Sequence, residues 1–335
     1  MHMSDALINP AVAGTMFVLS AAAAGVSIKK IHRESADSQQ SVAKKIPLTG
    51  VMSAFVFAAQ MLNFTIPGTG SSGHLCGGML LSVLLGPWCG FISMISVLLI
   101  QALFFADGGL LALGCNVWNM AFYGCFVGSF IIWKPMISTR VSKARIMAAS
   151  IIACVLTLQM GAFSVTLETL ISGIAELPFK FFVAAMQPIH LAIGAVEGLI
   201  TGAVLCFIYE TRSELLWGVN SSKKTRMTLA SVLVVLAICA VVMGGGISLL
   251  ASEHPDGLEW SMEKIAGTSE FESESLVLKK AADIQDMTSV MPDYNLGKEE
   301  TVAGKSASGL FGSLIVFAFT AGVAMIIRNK NKKVE

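Results

Sequence analysis

The sequence predicts an all-α integral membrane protein of about nine transmembrane helices, with the amino terminus outside and the carboxyl terminus in the cytoplasm. Three observations predict it. Of 335 residues, 54% are hydrophobic and only 13% charged, with a mean hydropathy of +0.72, far from the usage of soluble domains. Apolar runs of roughly 17 to 25 residues, the length a helix needs to cross a bilayer, recur along the chain. Of the 23 Lys and Arg residues, 17 fall in the segments 29–45, 134–145, 212–226 and 328–333, which the positive-inside rule assigns to the cytoplasm.

The first span, 9–28, ends at Lys29-Lys30-Ile31-His32-Arg33. The second, 47–63, leads into the Pro/Gly-rich loop 64–74. A third, 75–86, is short and closes at Gly86-Pro87-Trp88. A helix too short to cross lets polar backbone enter the bilayer where it lines a cavity. The fourth span, 89–105, stops at the turn signal Asp107-Gly108-Gly109, and the fifth covers 110–133. After a basic connection the sixth covers 146–165. Residues 166–185, with Glu168, Glu176, Pro178 and Lys180, read as an amphipathic or re-entrant connection. The seventh span is 188–209, the eighth 227–250 and the ninth 308–327, before the basic tail. Three regions result: 1–210, a linker 211–226, and 227–335 with the acidic loop 251–307. That loop holds twelve Asp and Glu against five Lys, the composition of a solvated, partly ordered segment.

Several function classes drop out. A net charge of +1 leaves no basic face for nucleic acid. The seven cysteines, Cys76, Cys89, Cys115, Cys125, Cys154, Cys206 and Cys239, lie in or beside apolar runs, form no CxxC pair, and read as small buried hydrophobes. No P-loop, HExxH or other nucleotide-binding or hydrolytic motif is present, so the chain is expected to be neither an enzyme nor the source of energy for transport. The start lacks the basic region of a cleavable signal peptide, and Met1 is expected to be the terminus.

The chain begins Met1-His2-Met3-Ser4-Asp5. A free amine followed by histidine can close two fused rings on one metal ion through the amine, the His2 backbone nitrogen and the His2 imidazole. His74, in Gly70-Ser71-Ser72-Gly73-His74, can fill the fourth place. Four nitrogens in a plane suit divalent nickel or copper better than zinc or magnesium. A Met-His start also arises by chance, and a histidine in a Gly/Ser loop also serves as a cap or a surface group. The nine spans place Met1, His2 and His74 on the same, external side.

Further residues carry a resemblance. Met1 to Leu7, Gln60-Met61-Leu62-Asn63-Phe64 with Gly70 to Leu75, Gly86-Pro87-Trp88, Gln101 to Gly109, and His190 to Gly194 with Glu197 to Thr201 resemble the CbiM/NikM family over about 1–210. These are the substrate-binding components of energy-coupling factor transporters for cobalt and nickel. His254-Pro255-Asp256-Gly257-Leu258-Glu259-Trp260 resembles the signature of the small CbiN/NikN subunit, as in a natural fusion. The resemblance implies a multi-pass protein of the cell membrane, and metal ligands at Met1, His2 and His74, with Asp5 supporting the terminus. It also implies Ni2+ or Co2+ as transported ligand with no cofactor, and two kinds of partner: a CbiQ/NikQ-type transmembrane coupling subunit and CbiO/NikO-type ATPases. Ser4 and Ala6-Leu7 depart from the family's pattern at positions that are not ligands.

Other polar groups have readings of their own. Gln60, Asn63 and Gln101 can pair with the loop backbone or fix the His74 tautomer. Asp107 reads as a turn cap, and Glu259 as support for a helix start after Asp256. His190 and Glu197 share a helix face two turns apart and read as structural groups or partner contacts. The row Ala21 to Gly25 suits close helix packing or docking of a partner. A rival reading is an ion-coupled secondary cation transporter working through Glu197, His190 and Asp107, which would call for internal repeats that the sequence lacks. A membrane metalloenzyme would need an open coordination position and a nearby base.

Overall fold

The computed structural model of the chain describes residues 1–36, 39–174, 177–220, 225–269, 271, 275–296 and 301–331. Lys223, Lys224, Lys332 and Lys333 of the basic segments, and Glu176, Glu270, Glu272, Glu274, Glu299 and Glu300, lie outside the described residues. The first helix, α1 (Pro10–Ala36), starts at a proline whose fixed φ suits the first turn, and Asn9 accepts the Val12 amide on its Oδ1 (2.8 Å) as N-cap. It lies at the margin of the bundle, exposing Phe17, Val18, Leu19 and Val26. In the alanine row, Ala21, Ala22 and Gly25 are exposed, and nothing lies within 4 Å of where a Gly25 Cβ would stand. The row is therefore not a tight internal packing surface.

The second helix, α2 (Gln39–Gln60), is followed by a two-stranded hairpin, the one β element among the described residues: β1 (Phe64–Ile66) pairs antiparallel with β2 (Ser71–Gly73), Phe64 opposite Gly73. The expected third span is instead α3 (Gly78–Leu85), eight residues all buried. At 1.5 Å per residue this is about 12 Å, far short of a bilayer. Gly86, at φ 88°, breaks it from α4 (Pro87–Phe104). Next comes α5 (Leu113–Ser138), whose stretch Val117–Trp133 is wound with the wider i→i+5 bonding of a π-helix.

The pair α6 (Lys143–Ser172) and α7 (Phe179–Arg212) forms the most closely packed helix contact. The expected amphipathic or re-entrant connection over 166–185 is absent among the described residues. Residues 166–172 are the last turns of α6 and 179–185 the first turns of α7, with Gly173 left-handed (φ 64°) after the one and Pro178 capping the other. Glu168, one of the residues behind that reading, is buried and accepts from Asn119 Nδ2 (2.7 Å). A glycine ladder brings the two backbones together: a Cβ at Gly194, Gly198 or Gly202 would stand 2.8 Å from Val155 Cα, 2.5 Å from Ile151 Cα or 2.5 Å from Met147 Sδ. This is the small-residue spacing by which membrane helices gain van der Waals contact.

The carboxyl-terminal part supplies α8 (Leu229–Gly245) and α11 (Val302–Asn331), which pack with α2. Between them, the segment expected to be solvated instead folds as α9 (Gly257–Ala266) and α10 (Leu276–Thr288), followed by a turn at Pro292–Tyr294. The reason is local: Asp256 and Glu259 form a capping box that starts α9, while Leu258 and Met262 are buried against the bundle. Six described helices are long and apolar enough to cross a membrane, and two shorter apolar ones, Ile46–Gln60 and Leu229–Gly245, join them. All seven cysteines are free. Cys76, Cys115, Cys125 and Cys154 are buried, Cys89 and Cys206 half-buried, and Cys239, contrary to expectation, exposed on α8.

Gly198→Val is expected to overpack the α6–α7 contact and cost about 1–3 kcal/mol, read as a lower thermal unfolding midpoint in detergent; an unchanged midpoint would show that the two backbones are not in contact there.

Candidate metal centre

Apart from a single 3-10 turn at Asp5–Leu7, the amino-terminal nine residues run as irregular backbone into the end of the bundle, so their polar groups need partners there. Asn116 of α5 supplies two, its Oδ1 accepting the Met3 amide (2.8 Å) and its Nδ2 donating to the Met3 carbonyl (3.1 Å). The Gly109 amide donates to the same carbonyl (2.9 Å). Asp5 accepts the Ala112 amide on its carboxylate (2.8 Å), against a bare Gly109 whose Cβ would fall 1.8 Å from that carboxylate. Met3, Leu7 and Ile8 are fully buried and anchor the strand by their apolar bulk.

This places the Met1 amine 3.3 Å from His74 Nε2. The His74 Nδ1 lies 2.9 Å from the Leu75 carbonyl, which can only accept, so Nδ1 carries the proton and Nε2 turns its lone pair to the amine. The His2 ring stacks on His74 with centroids 5.4 Å apart and 13° between planes. The Met1 amine and the two predicted histidines therefore lie beside one another, with His2 Nδ1 turned to Asp107. The hairpin carries His74 to this place because Gly73 lies against α7, where a Cβ would stand 2.4 Å from Ile193 Cγ1.

Two carboxylates complete the centre, and the sequence reading gave neither this role. Asp107, read as a turn cap, has Oδ1 2.7 Å from His2 Nδ1 and accepts the Tyr294 hydroxyl on Oδ2. Ala106 and Gly108, both at positive φ, turn its side chain toward the terminus and away from its own turn. Asp256, from the α9 capping box, places Oδ2 2.5 Å from the Met1 amine while Oδ1 accepts the Leu258 and Glu259 amides. The Pro255 and His254 carbonyls accept from Ser72 of the hairpin (2.8 Å each), and Trp260 Nε1 donates to the Thr69 carbonyl (2.9 Å).

The electrostatics follow from this pairing. Burial opposes charge on the Met1 amine, but Asp256 outweighs it by charge and hydrogen bond, and the amine titrates above its ordinary 8.0. Burial, followed by the charge of that amine, pushes His74 down to about 4. Burial works to raise Asp107, yet the His2 ring and the hydrogen bonds from His2 and Tyr294 bring it to about 2. Burial likewise opposes Asp256, and the amine and His74 together hold it well below the carboxylate range. At neutral pH the centre thus holds two carboxylates, one ammonium and a neutral His74. It opens on a cavity of about 720 Å³ lined by Asp5, Asp107, Glu253, Asp256, Glu259 and Asp293 among others.

The remaining expectations divide. Gln60 does pair with the loop backbone, donating to the Cys76 carbonyl (2.8 Å), and Gln101 donates to Gln60 Oε1 (2.9 Å) and the Tyr294 hydroxyl (3.2 Å). Neither bonds His74, whose tautomer the Leu75 carbonyl sets. Asn63 lines the cavity and accepts the Ser252 amide on its carbonyl (2.8 Å). Glu197 accepts the Cys76 and Gly77 amides on its two oxygens (2.9 Å each), an anion at the start of α3. Asn116 and Asp256 were missed. An asparagine within an apolar run was the available signal for Asn116, whereas nothing local to Pro-Asp-Gly announces contact with residue 1. Among the described residues no three His, Cys, Asp or Glu side chains stand around one point at metal-binding distance, so a metal held here needs the main-chain nitrogens of the terminus.

Comparison with known proteins adds its own finding. The model of the CbiM family, described as the cobalt uptake substrate-specific transmembrane region, matches residues 2–215, and that of the PDGLE domain matches 230–329. A fused nickel transport protein of the NikMN type from Archaeoglobus fulgidus is 31% identical over 318 residues, covering 95% of this chain and 96% of its own. A cobalt transport protein CbiM from Geobacter sulfurreducens is 29% identical over 277 residues, with 79% and 78% covered. A crystal structure of a truncated transition metal transporter superposes with a TM-score of 0.53 at 30% identity, covering 63% of this chain and 99% of that one.

Replacing Asp256 by Asn removes the charge that raises the Met1 amine and leaves burial, which lowers it. Its titration midpoint, read from the pH dependence of amine acylation, is expected to move from above about 8 to below it; a midpoint that stays put would mean that Asp256 does not face the amine.

Proposed function

Because the chain belongs to the CbiM family, joined to a PDGLE domain, we propose that it is the substrate-binding component of an energy-coupling factor importer that captures Ni2+ or Co2+ at its amino terminus. It is a multi-pass membrane protein and a nickel or cobalt transport component of the CbiM/NikM type, in a family of transporters and not of enzymes. The observation that supports the metal site is the meeting of the Met1 amine, His2 and His74 in one buried place, with the amine 3.3 Å from His74 Nε2.

In this reading the ion enters through the acidic cavity and takes the places now held by proton and carboxylate. The amine gives up its proton and its contact with Asp256. The His2 ring turns its Nδ1 from Asp107 onto the ion, and the His2 backbone nitrogen, which gives up its amide proton to solvent, and His74 Nε2 complete the square. The two carboxylates stay as counter-charges beside the dication. We assign the basic segments to the cytoplasm and the metal centre to the outside, with a boundary between the two parts in 211–226, where one family match ends at 215 and the other begins at 230. With no nucleotide-binding motif of its own, the chain relies on a CbiQ/NikQ-type coupling subunit and CbiO/NikO-type ATPases. The exposed small residues Ala21, Ala22 and Gly25 of α1 form the face we assign to the coupling subunit. The rival reading, ion coupling through Glu197 and His190, loses support because both Glu197 oxygens are engaged by backbone amides.

One extra residue before Met1 displaces the amine and both chelate rings without altering any side chain. Purified protein carrying it is expected to lose stoichiometric nickel and cobalt binding, and unchanged binding would move the ligands elsewhere. The pH dependence follows from the amine. It is protonated at neutral pH, whereas His74, at about 4, is already free, so each ion bound expels at least the amine proton. Affinity is expected to fall at least about tenfold per pH unit from pH 8 to 6; a flat profile over that range would exclude the amine as a ligand.

A further inference from the structure

We infer that α10 is an interfacial helix, seated with one face in the lipid of the bilayer surface at the end of α4. Its residues, Leu276–Thr288, divide into three sectors when placed on a helix at about 100° per residue. Leu278, Ala281 and Gln285 fall within about 60° of one another and turn inward, the first two buried and Gln285 half-buried. Lys279, Ala282, Asp283 and Asp286 make a second, polar sector, and all four are exposed. Between them lies a third. Leu276, Val277, Ile284 and Met287 share an arc of about 100°, yet all are exposed, Leu276 by 77% and Met287 by 87%. A helix packed on a protein and facing water needs one apolar face, and α10 has two. The three sectors match protein, lipid and water.

The level at which the helix is fixed identifies its apolar neighbour. Gln285 Nε2 donates to the Ala102 and Gly108 carbonyls (2.9 and 2.8 Å). Just beyond the helix the Met291 and Asp293 amides donate to the Phe104 and Phe105 carbonyls (3.0 and 2.9 Å). Because α4 is one of the helices long and apolar enough to cross a membrane, its last carbonyls mark where a span ends and the headgroup region begins. α10 is pinned there. Ser308 of α11, a second such helix, donates to Met291 Sδ (3.3 Å), and Leu310 and Leu314 of α11 are exposed, so the open face of α10 continues a surface that already meets lipid. An amphipathic helix at this level sinks its apolar side about 5–10 Å into the boundary between headgroups and acyl chains. Lys280, in the middle of the apolar arc, suits the same place, its stem lying on lipid while its ammonium reaches the phosphates. Gln285 also holds the loop beside Asp107 through the Gly108 carbonyl. The bilayer surface and the metal centre thus share one helix.

The test puts the photoreactive residue benzoylphenylalanine at one position at a time in the full chain, held in nanodiscs of phosphatidylcholine and phosphatidylglycerol, and weighs the intact protein for lipid adducts after irradiation. Ile284 and Met287 probe the apolar sector, Asp283 and Asp286 the polar one, and Ile238, exposed on α8, sets the level for a side chain in lipid. These positions lie on the surface, and an unchanged melting midpoint shows that each chain is folded. Adduct yields at 284 and 287 are expected to lie within about twofold of that at 238 and at least about fivefold above those at 283 and 286, since a helix about 10 Å across holds its two faces at different depths. Equal yields on the two sectors, or adducts at 238 and none at 284 and 287, would place the face in water and overturn the inference. A crosslink between two chains at 284 or 287 in place of lipid would give the face to a second copy and overturn it as well. None of these outcomes bears on the metal site, which is tested separately.

Discussion

Two stretches outside the long helices, the amino-terminal nine residues and the hairpin segment from 63 to 77, are carried into the end of a helical bundle. Everything about the centre depends on how their amides and carbonyls are satisfied. In a medium without water each unpaired group is costly, so the surrounding helices give up side chains to them. Asn116 brackets Met3, Asp5 returns to Ala112, Gln60 reaches the Cys76 carbonyl, and Glu197 takes the two amides that open α3. Polar residues in apolar helices here serve backbone first. Once that demand is met, the terminus has one position, and the proposed chelator, half of it main-chain atoms, is held in place.

The second feature is charge. A buried ammonium, as found at Met1, is tolerable only with a counter-charge, and Asp256 provides it from the carboxyl-terminal part. Asp107 does the same for the edge of His2, with Tyr294 behind it, stacked on Phe105 at 4.8 Å. The PDGLE part is thus not an appendage to the bundle. Its capping-box aspartate reaches the Met1 amine, and its tyrosine turn reaches the carboxylate that holds His2 Nδ1. A centre held by exchangeable protons and carboxylates suits cargo better than a closed cage of side chains would, because an ion can be admitted and released by replacing partners already in place.

Much of this was legible in order of residues. The apolar runs, the basic segments, the Met-His start and the histidine after Gly-Ser-Ser-Gly led to a membrane protein with its candidate ligands at Met1, His2 and His74, and the terminus and that histidine do meet. What misled was length and context. A twelve-residue apolar run at 75–86 reads as a short span, yet it yields an eight-residue helix enclosed on all sides. Residues 166–185 read as an amphipathic or re-entrant connection, yet Glu168 within them is held inside by Asn119. The acidic loop reads as solvated by composition, although two of its acids, Asp256 and Glu259, form a cap that docks on the hairpin.

By itself the sequence determined the local chemistry: which segments are apolar enough for lipid, which residues can chelate, and where α9 must start. Those properties reside in neighbours along the chain, in propensity, charge and spacing. Only the tertiary structure decided that Asp256 faces residue 1 across 255 positions, that Asp107 holds His2, and that His190 and His74 bound the same void. Such contacts arise from glycines that let hairpin and helix approach and from backbone groups that must find partners, and neither constraint is written in any one stretch of sequence.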